Sequence, residues 1–259
     1  MSDEILSHRE GGILTLTFNR LDKKNAITAA MYSTLAAALV GAAEDDAVRV
    51  VVLQGHEQVF TAGNDLADFL NNPPDMSKKD ADPAPVVSYL EALRTFPKPL
   101  LASVAGPAVG IGTTMLLHCD LVYAADNAAF SLPFVNLGLC PEAGASLLLP
   151  ALVGYPRAAE KLLLGEAFYA EEAVEMGVVN RILPPGEVNA YTQAQAAKLA
   201  AKPAASLRAT KALMKMGQVG LQAIMGEELK LFGALLRGPA AKEAINAVME
   251  KRKPDFKGM

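Results

Sequence analysis

Cysteine is scarce in this sequence, and no apolar stretch reaches the length that crosses a bilayer. Cys119 and Cys140 are the two cysteines among 259 residues, and their spacing fits neither a disulfide framework nor a metal site. A membrane-spanning helix needs about 20 predominantly apolar residues in a row. These absences argue against a disulfide-rich secreted domain, a metal centre and a membrane protein, and they favour a reducing, intracellular environment.

An excess of positive charge is also missing. The formal net charge is −4 and there are no long runs of lysine or arginine, which excludes the basic surface typical of nucleic-acid binding. The phosphate-binding patterns G-x-x-x-x-G-K-[ST] and G-x-G-x-x-G and the hydrolase pattern G-x-S-x-G do not occur. Because the acidic N-terminus lacks a signal-peptide core and the C-terminus matches no common targeting signal, we expect a cytoplasmic protein without membrane or nucleic-acid partners.

What the sequence does contain is a regular alternation of strand and helix patterns. The residues are 51% hydrophobic and 20% charged, as in a globular protein with a large core. Residues 5–8 and 13–18 read as a hairpin, residues 28–44 as a helix capped by Thr28, and residues 48–54 as a buried strand. This order predicts an α/β fold with a largely parallel sheet. Further predicted elements are helices at 86–95, 113–118, 146–152 and from 187 onward, and strands at 100–105, 121–124, 129–132 and 178–182.

Residues 71–85 interrupt this order. They carry four prolines and charges of both signs, which cannot continue a helix or a strand. We predict a surface loop there, with a lid over a neighbouring site as the alternative.

The stretch from 98 to 149 is the best candidate for a functional site. After the strand at 100–105, Gly106-Pro107 breaks the chain, and Gly110 and Gly112 flank Ile111 where a helix begins. A backbone N–H at such a helix start has no intrahelical acceptor and lies at the positive end of the dipole. The Ile111 amide is therefore suited to stabilise an oxyanion. The same glycine spacing is also common where a helix simply packs closely against a strand.

Five motifs together resemble one family. They are NRLDKKNAIT (19–28), FTAGNDL (60–66), AGPAVGIG (105–112), CDLVYAADNAAFSLPFVNLGL (119–139) and MEKRKPDFKG (249–258). In this order the sequence is similar to the crotonase, or enoyl-CoA hydratase/isomerase, superfamily over nearly its whole length. The resemblance implies a crotonase-like spiral of ββα units at residues 1–195, followed by a C-terminal helical trimerisation region at 196–259. It also implies a homotrimer or hexamer.

The resemblance further implies a pocket for an acyl-coenzyme A thioester whose carbonyl oxygen lies between two backbone amides. In this sequence those amides belong to Asn64 and Ile111. Coenzyme A is then part of the substrate, and no separate cofactor or metal is expected. The residues assigned to substrate binding are Lys23, Lys24, Ala62, Gly63, Asp65, Leu66, Gly110, Phe134, Leu139 and Lys251. Lys251 belongs to a C-terminal basic cluster that reaches the phosphates in the family, in some members from a neighbouring subunit. Asp65 and Asp68 also fit acids at a helix start.

The acid or base beside the amides decides the reaction. Hydratases of the family hold a water with two glutamates, but the matching positions here are Thr114 and Phe134. A single carboxylate, Glu142 in LGLCPEAGAS, is instead similar to the catalytic glutamate of peroxisomal-type Δ3,Δ2-enoyl-CoA isomerases. One base suits a shift of a proton from C2 to C4. We therefore predict an isomerase of fatty acid metabolism with Glu142, Asn64 and Ile111 as its catalytic residues. An enoyl-CoA hydratase, an acyl-CoA thioesterase and a non-catalytic acyl-CoA-binding protein are the alternatives.

The position of Glu142 permits a second interpretation. Glutamate directly after Pro141 is typical of a helix N-terminus, where the dipole lowers the pKa of the carboxyl. An apolar pocket formed by Phe134, Leu137 and Leu139 would instead raise it. The sequence does not decide between the two effects.

Overall fold

The computed structural model describes residues 4–71 and 83–259, so residues 72–82, the central part of the predicted loop or lid, lie outside the described residues. The described residues form strands and helices in alternation. The strands are β1 (Ile5–Glu10), β2 (Ile13–Phe18), β3 (Val50–Gln54), β4 (Leu100–Val104), β5 (Pro107–Val109), β6 (Leu121–Ala125), β7 (Ala129–Ser131), β8 (Phe168–Tyr169) and β9 (Arg181–Leu183).

The helices are concentrated in the second half of the chain. They are α1 (Ala29–Glu44), α2 (Leu66–Asn71), α3 (Pro85–Thr95), α4 (Ile111–Thr114), α5 (Ala145–Val153), α6 (Tyr155–Leu164), α7 (Ala170–Glu175), α8 (Pro185–Ala200), α9 (Ala204–Lys215), α10 (Leu221–Leu236) and α11 (Pro239–Met249). Within the described residues no helix has both the length and the apolar character needed to cross a bilayer.

The strands form two sheets. The larger has the order β1-β2-β3-β4-β6-β9 and is parallel except for the β1–β2 hairpin, while β5, β7 and β8 form the smaller sheet. Strands β4 and β5 follow each other along the chain, as do β6 and β7, and each pair divides between the two sheets. The predicted α/β class with a largely parallel sheet is confirmed.

Both faces of the larger sheet are covered, as a parallel sheet requires. Side chains alternate along β3: Val51 and Leu53 belong to the main core under α1 and α3, whereas Val50 and Val52 pack on the opposite face. That opposite face is covered by α8, and the predicted division at residue 195 falls inside this helix.

Several predicted elements agree with the structure and two differ. Thr28 caps α1 by accepting a hydrogen bond from the Met31 amide at 3.3 Å. The predicted helix at 113–118 is instead the short helix α4 followed by a 3₁₀ turn, Met115–His118. The strand predicted at 178–182 begins only at Arg181, because the amides of Val178 and Val179 donate to the Ala173 carbonyl and finish the end of α7.

Candidate active site

A large apolar cavity lies between the turns that connect the two sheets and the C-terminal helices. Its volume is about 960 Å³. Phe69 of α2, Phe232 and Leu236 of α10 and Ile245 of α11 supply apolar walls, so the C-terminal region closes over the core of its own chain. The predicted site residues that line it are Lys23, Ala62, Gly63, Asn64, Asp65, Leu66, Gly110, Ile111, Phe134 and Leu139.

The turns that carry Asn64 and Ile111 are joined by backbone hydrogen bonds. The Thr61 amide donates to the Pro107 carbonyl at 3.0 Å, and the Val109 amide donates to the Thr61 carbonyl at 3.0 Å. Ile111 is the first residue of α4, so its N–H has no acceptor within the helix. Among the described residues, neither the Ile111 amide nor the Asn64 amide has a hydrogen-bond acceptor. Two unsatisfied amides therefore lie on adjacent turns at the same cavity.

Gly63 is required by this arrangement. Its φ of +86° lies in the region that favours glycine, and a Cβ atom there would be 2.7 Å from the Val109 carbonyl oxygen. The close approach of these two backbones brings Asn64 beside the turn that leads to Ile111.

Glu142 is buried and contacts the last residue of α4, one helical turn from Ile111. Its side chain is held by Thr114 of α4, whose hydroxyl donates to Oε1. Oε2 is buried and has no hydrogen-bond partner among the described residues. The pKa of Glu142 is raised to about 8, mainly by loss of hydration on burial; the Thr114 hydrogen bond lowers it and the nearby Glu228 raises it by smaller amounts. Glu142 does not itself line the cavity, but its neighbours Ile111 and Leu139 do.

The interpretation of Glu142 as a helix N-terminal acid is wrong. Helix α5 begins at Ala145, and the two preceding residues, Ala143 and Gly144, have left-handed φ values of +60° and +74°. This turn separates Pro141 and Glu142 from the helix. Glu142 therefore lies outside the first turn of α5, and loss of hydration on burial is the largest cause of its raised pKa.

The loop of Glu142 is fixed by two side chains that sequence patterns did not reveal. The ring nitrogen Nε2 of His118 is 2.7 Å from the Ala143 carbonyl oxygen. Glu228 of α10 accepts hydrogen bonds from the Gly144 amide at 2.6 Å, the Ser146 amide at 3.0 Å and the Ser146 hydroxyl at 2.5 Å. Glu228 lies 84 residues from Gly144 along the chain, so no local motif indicates the contact.

Two buried tyrosines also face the site. The Tyr32 hydroxyl of α1 donates to the Asn64 side-chain oxygen, and the Tyr89 ring of α3 lies 5.6 Å from the Tyr32 ring. Burial and the negative charge of Glu142 raise the pKa of both tyrosines well above the ordinary value. Both are therefore neutral, and Tyr32 orients the Asn64 side chain as a hydrogen-bond donor.

The remaining predicted residues lie in different places. Asp65 forms an ion pair with Arg20 at 2.7 Å. It also accepts hydrogen bonds from the amides of Ala67 and Asp68 in the first turn of α2, and it lines the cavity. Lys24 and Lys251 are exposed and do not line the cavity of their own chain.

Other candidate chemistries find no support in the described residues. Burial raises the pKa of the Cys119 thiol to about 12 and of the Cys140 thiol to about 11, so neither is a ready nucleophile. Burial lowers the pKa of His118 to about 4, which keeps its ring neutral. The described part of the chain contains no group of three or more His, Cys, Asp or Glu residues placed to hold a metal ion.

The paired sheets and the two facing turns define a crotonase-like fold, and solved structures of this type superpose on the chain. The family model described as enoyl-CoA hydratase/isomerase matches residues 8–259. The chain therefore belongs to the enoyl-CoA hydratase/isomerase family, which acts on acyl-CoA thioesters.

Similar proteins include both isomerases and hydratases. Enoyl-CoA delta isomerase 2 of Rattus norvegicus is 38% identical over 98% of this chain, which spans 65% of the rat protein's length. The 2,3-dehydroadipyl-CoA hydratase of Escherichia coli K12 is 35% identical, with 98% of this chain and 99% of the other covered. The solved structure of Pseudomonas aeruginosa OdaA is 46% identical with a TM-score of 0.91, and the match covers 96% of this chain and 99% of that one.

Proposed function

We propose that the protein is an acyl-CoA isomerase that moves a double bond from the 3 to the 2 position of an enoyl-CoA. The observation that carries the proposal is the buried carboxyl of Glu142, which has one unpartnered oxygen and is bonded to Thr114, one helical turn along α4 from the unpartnered amide of Ile111. A carboxyl with a pKa of about 8 has a proton affinity suited to both taking and returning a proton near neutral pH.

The reaction needs one base and one oxyanion site. The carboxylate of Glu142 removes a proton from C2, and the electron pair moves to the thioester oxygen to form a dienolate. The amides of Asn64 and Ile111 stabilise that oxygen, each by roughly 3 to 4 kcal/mol as for other oxyanion donors. The Glu142 carboxyl then delivers the proton to C4, so the bond between C2 and C3 becomes double and no atom is gained or lost.

The surroundings of Glu142 favour this reaction over hydration. Addition of water requires groups that hold the water, and hydratases of the family use two glutamates for this. Thr114 and Phe134 occupy the two positions of the hydratase glutamates, and the Thr114 hydroxyl is already committed to Glu142. Asp65, the carboxylate that does line the cavity, is occupied by Arg20 and by the start of α2.

The cavity also supports an apolar acyl chain. Phe69, Phe232, Leu236 and Ile245 form walls without charge, and Lys23 is the basic residue at the cavity edge among the described residues. We assign Lys23 to the nucleotide end of coenzyme A. In a homotrimer or hexamer, Lys24 and Lys251 would add to that contact.

Turnover of a panel of 2-enoyl and 3-enoyl thioesters tests the proposal. Wild-type protein should convert 3-enoyl-CoA to 2-enoyl-CoA, and Glu142→Gln should lower kcat by about 10² to 10⁴-fold, as expected for loss of a general base. Glu91→Gln, at an exposed glutamate of α3 paired with Arg94, is the matched control and should keep full activity.

Three results would overturn the proposal. They are hydration of crotonyl-CoA as the main reaction, release of free thiol from the thioester, and tight binding of acyl-CoA without any turnover. Each corresponds to one alternative: a hydratase, a thioesterase or a binding protein.

A further inference from the structure

Glu228 is a buried acid that the proposed reaction does not use directly. It lies in the middle of α10, its side chain is 6% exposed, and both of its oxygens accept hydrogen bonds. The donors are the Gly144 amide on Oε2 and the amide and hydroxyl of Ser146 on Oε1. Three hydrogen bonds from one short segment to a buried carboxylate hold that segment in place.

That segment directly follows Glu142. Helix α5 has no capping side chain of its own, since its N-cap residue is Gly144, and Glu228 supplies the cap from a distant helix. Ala143 adopts a left-handed conformation with φ of +60°, which a residue with a side chain rarely adopts without outside support. Glu228 on the amide of residue 144 and His118 on the carbonyl of residue 143 provide this support from two sides.

We propose that Glu228 is a positioning residue for the isomerase reaction, because it fixes the loop that carries Glu142 and places a second negative charge beside it. This inference rests on the proposed function, in which Glu142 is the base. Helix α10 also lines the cavity through Phe232, one turn beyond Glu228. Glu228 therefore links the position of the Glu142 carboxyl to the packing of the C-terminal helices on the core.

The effect of the Glu228 charge on the pKa of Glu142 can be measured because the other titratable groups near Glu142 are neutral. Tyr32 of α1 and Tyr89 of α3 are neutral, since burial raises the pKa of each well above 10. Cys140 in the same loop is neutral because its pKa is about 11, and His118 beside the 3₁₀ turn is neutral because its pKa is about 4. Among the described residues, Glu228 is the one whose charge raises the pKa of Glu142; burial raises the pKa of Glu228 itself, and its hydrogen bonds from Ser146 and Gly144 lower it.

Glu228→Gln separates positioning from simple stability. Glutamine keeps one acceptor oxygen but presents an NH₂ group in place of the other, so the amide of Gly144 or of Ser146 loses its partner. We expect kcat to fall about 10 to 100-fold from displacement of the base, with a smaller change in KM. We also expect the pH at which kcat/KM levels off to move down, because a like charge has been removed.

Two further variants complete the test. Ser146→Ala removes one donor but keeps the charge, so kcat should fall by a few fold while the pH profile stays in place. Asp120→Asn removes another carboxylate that binds a backbone amide, that of Leu100 at 2.8 Å, and pairs with Lys211 at 2.7 Å. It should lower stability without moving the pH profile. If Glu228→Gln does not fold, the outcome for Ser146→Ala decides on positioning.

Titration of Glu142 provides a readout that does not depend on activity. Protein labelled with ¹³C at glutamate carboxyls would give the Glu142 signal by comparison with Glu142→Gln, and its apparent pKa should fall in Glu228→Gln but not in Asp120→Asn. An unchanged Glu142 titration together with a kcat within twofold of wild type would overturn the inference. Failure of the proposed function would look different, because wild-type protein itself would then not isomerise 3-enoyl-CoA.

Discussion

At the scale of single residues, the burial of Glu142 links activity to pH. A base must be ionised to take a proton, and a pKa of about 8 leaves only about one Glu142 in ten ionised at pH 7. We therefore predict that kcat/KM for 3-enoyl-CoA rises about tenfold per pH unit below pH 8 and levels off above it. Initial rates between about pH 6 and 9 would measure this, and a flat profile would contradict the assignment of the base.

The same burial links Glu142 to stability. Between its ordinary pKa near 4.5 and its folded value of about 8, the native carboxyl keeps a proton that the unfolded chain has released. The native state then binds more protons, so the contribution of Glu142 to the free energy of unfolding is full below pH 4.5 and is lost as the pH rises to 8. The glutamine in Glu142→Gln cannot ionise, so this variant does not lose stability in this way as the pH rises.

We expect Glu142→Gln to match wild type at about pH 5 and to be more stable by a few kcal/mol at about pH 8.5. Urea denaturation of both proteins at the two pH values measures the difference. A gap that is the same at both pH values would mean that Glu142 is not held in a low-dielectric environment.

At the scale of elements, the site depends on the contact between the turn of Gly63 and the strand β5. Gly63→Ala places a methyl group 2.7 Å from the Val109 carbonyl oxygen, so the turn must move and carry the Asn64 amide with it. We predict a loss of about 10² to 10³ in kcat, the usual cost of losing one oxyanion donor.

Gly154→Ala is the control for backbone strain. Gly154 has a φ of +81°, close to that of Gly63, but a Cβ atom there meets nothing within 4 Å. Both variants should lose stability, and only Gly63→Ala should lose kcat in excess of its unfolded fraction. Equal losses of kcat in the two variants would show that strain, and not displacement of Asn64, explains the effect.

Elements set by neighbouring residues could be predicted from the sequence. The Thr28 cap, the β1–β2 hairpin and the buried strand β3 depend on short patterns of polar and apolar residues. The interpretation of Glu142 as a helix N-terminal acid is wrong because a left-handed turn at Ala143 and Gly144, stabilised by His118 and Glu228, separates it from α5. The sequence around Pro141 contains neither of these residues, so the local pattern favoured a helix.

The residues of the candidate site likewise include some that the sequence could predict and some that it could not. Asn64 and Ile111 follow glycine motifs that position the backbone, so their place at one cavity follows from the motifs and the resemblance together. The tyrosine that binds Asn64 and the acid that caps α5 come from α1 and α10. Their spacing along the chain follows no period, and only tertiary packing brings them to the site.

At the scale of the whole molecule, α9 presents an outer face that suits contact between subunits. Its inner face is fixed where the Lys211 ammonium binds Asp120 and the Lys98 carbonyl, each at 2.7 Å. Near the end of α9, Leu213 and Met214 are each 68% exposed, and Met216, just past its end, is 71% exposed. Clustered exposed apolar side chains are typical of protein interfaces.

We therefore predict that the 27.3 kDa chain sediments as a trimer or hexamer, and that Leu213→Glu with Met216→Glu dissociates it. Because the cavity is built from elements of one chain, the dissociated protein should keep most of its kcat. KM for the CoA thioester should rise if Lys251 acts on a neighbouring subunit, since Lys251 does not line the cavity of its own chain.

Val40→Glu, at an exposed valine of α1, is the matched control and should leave the mass of the oligomer unchanged. Wild-type protein that sediments as a single chain at micromolar concentration would contradict the prediction.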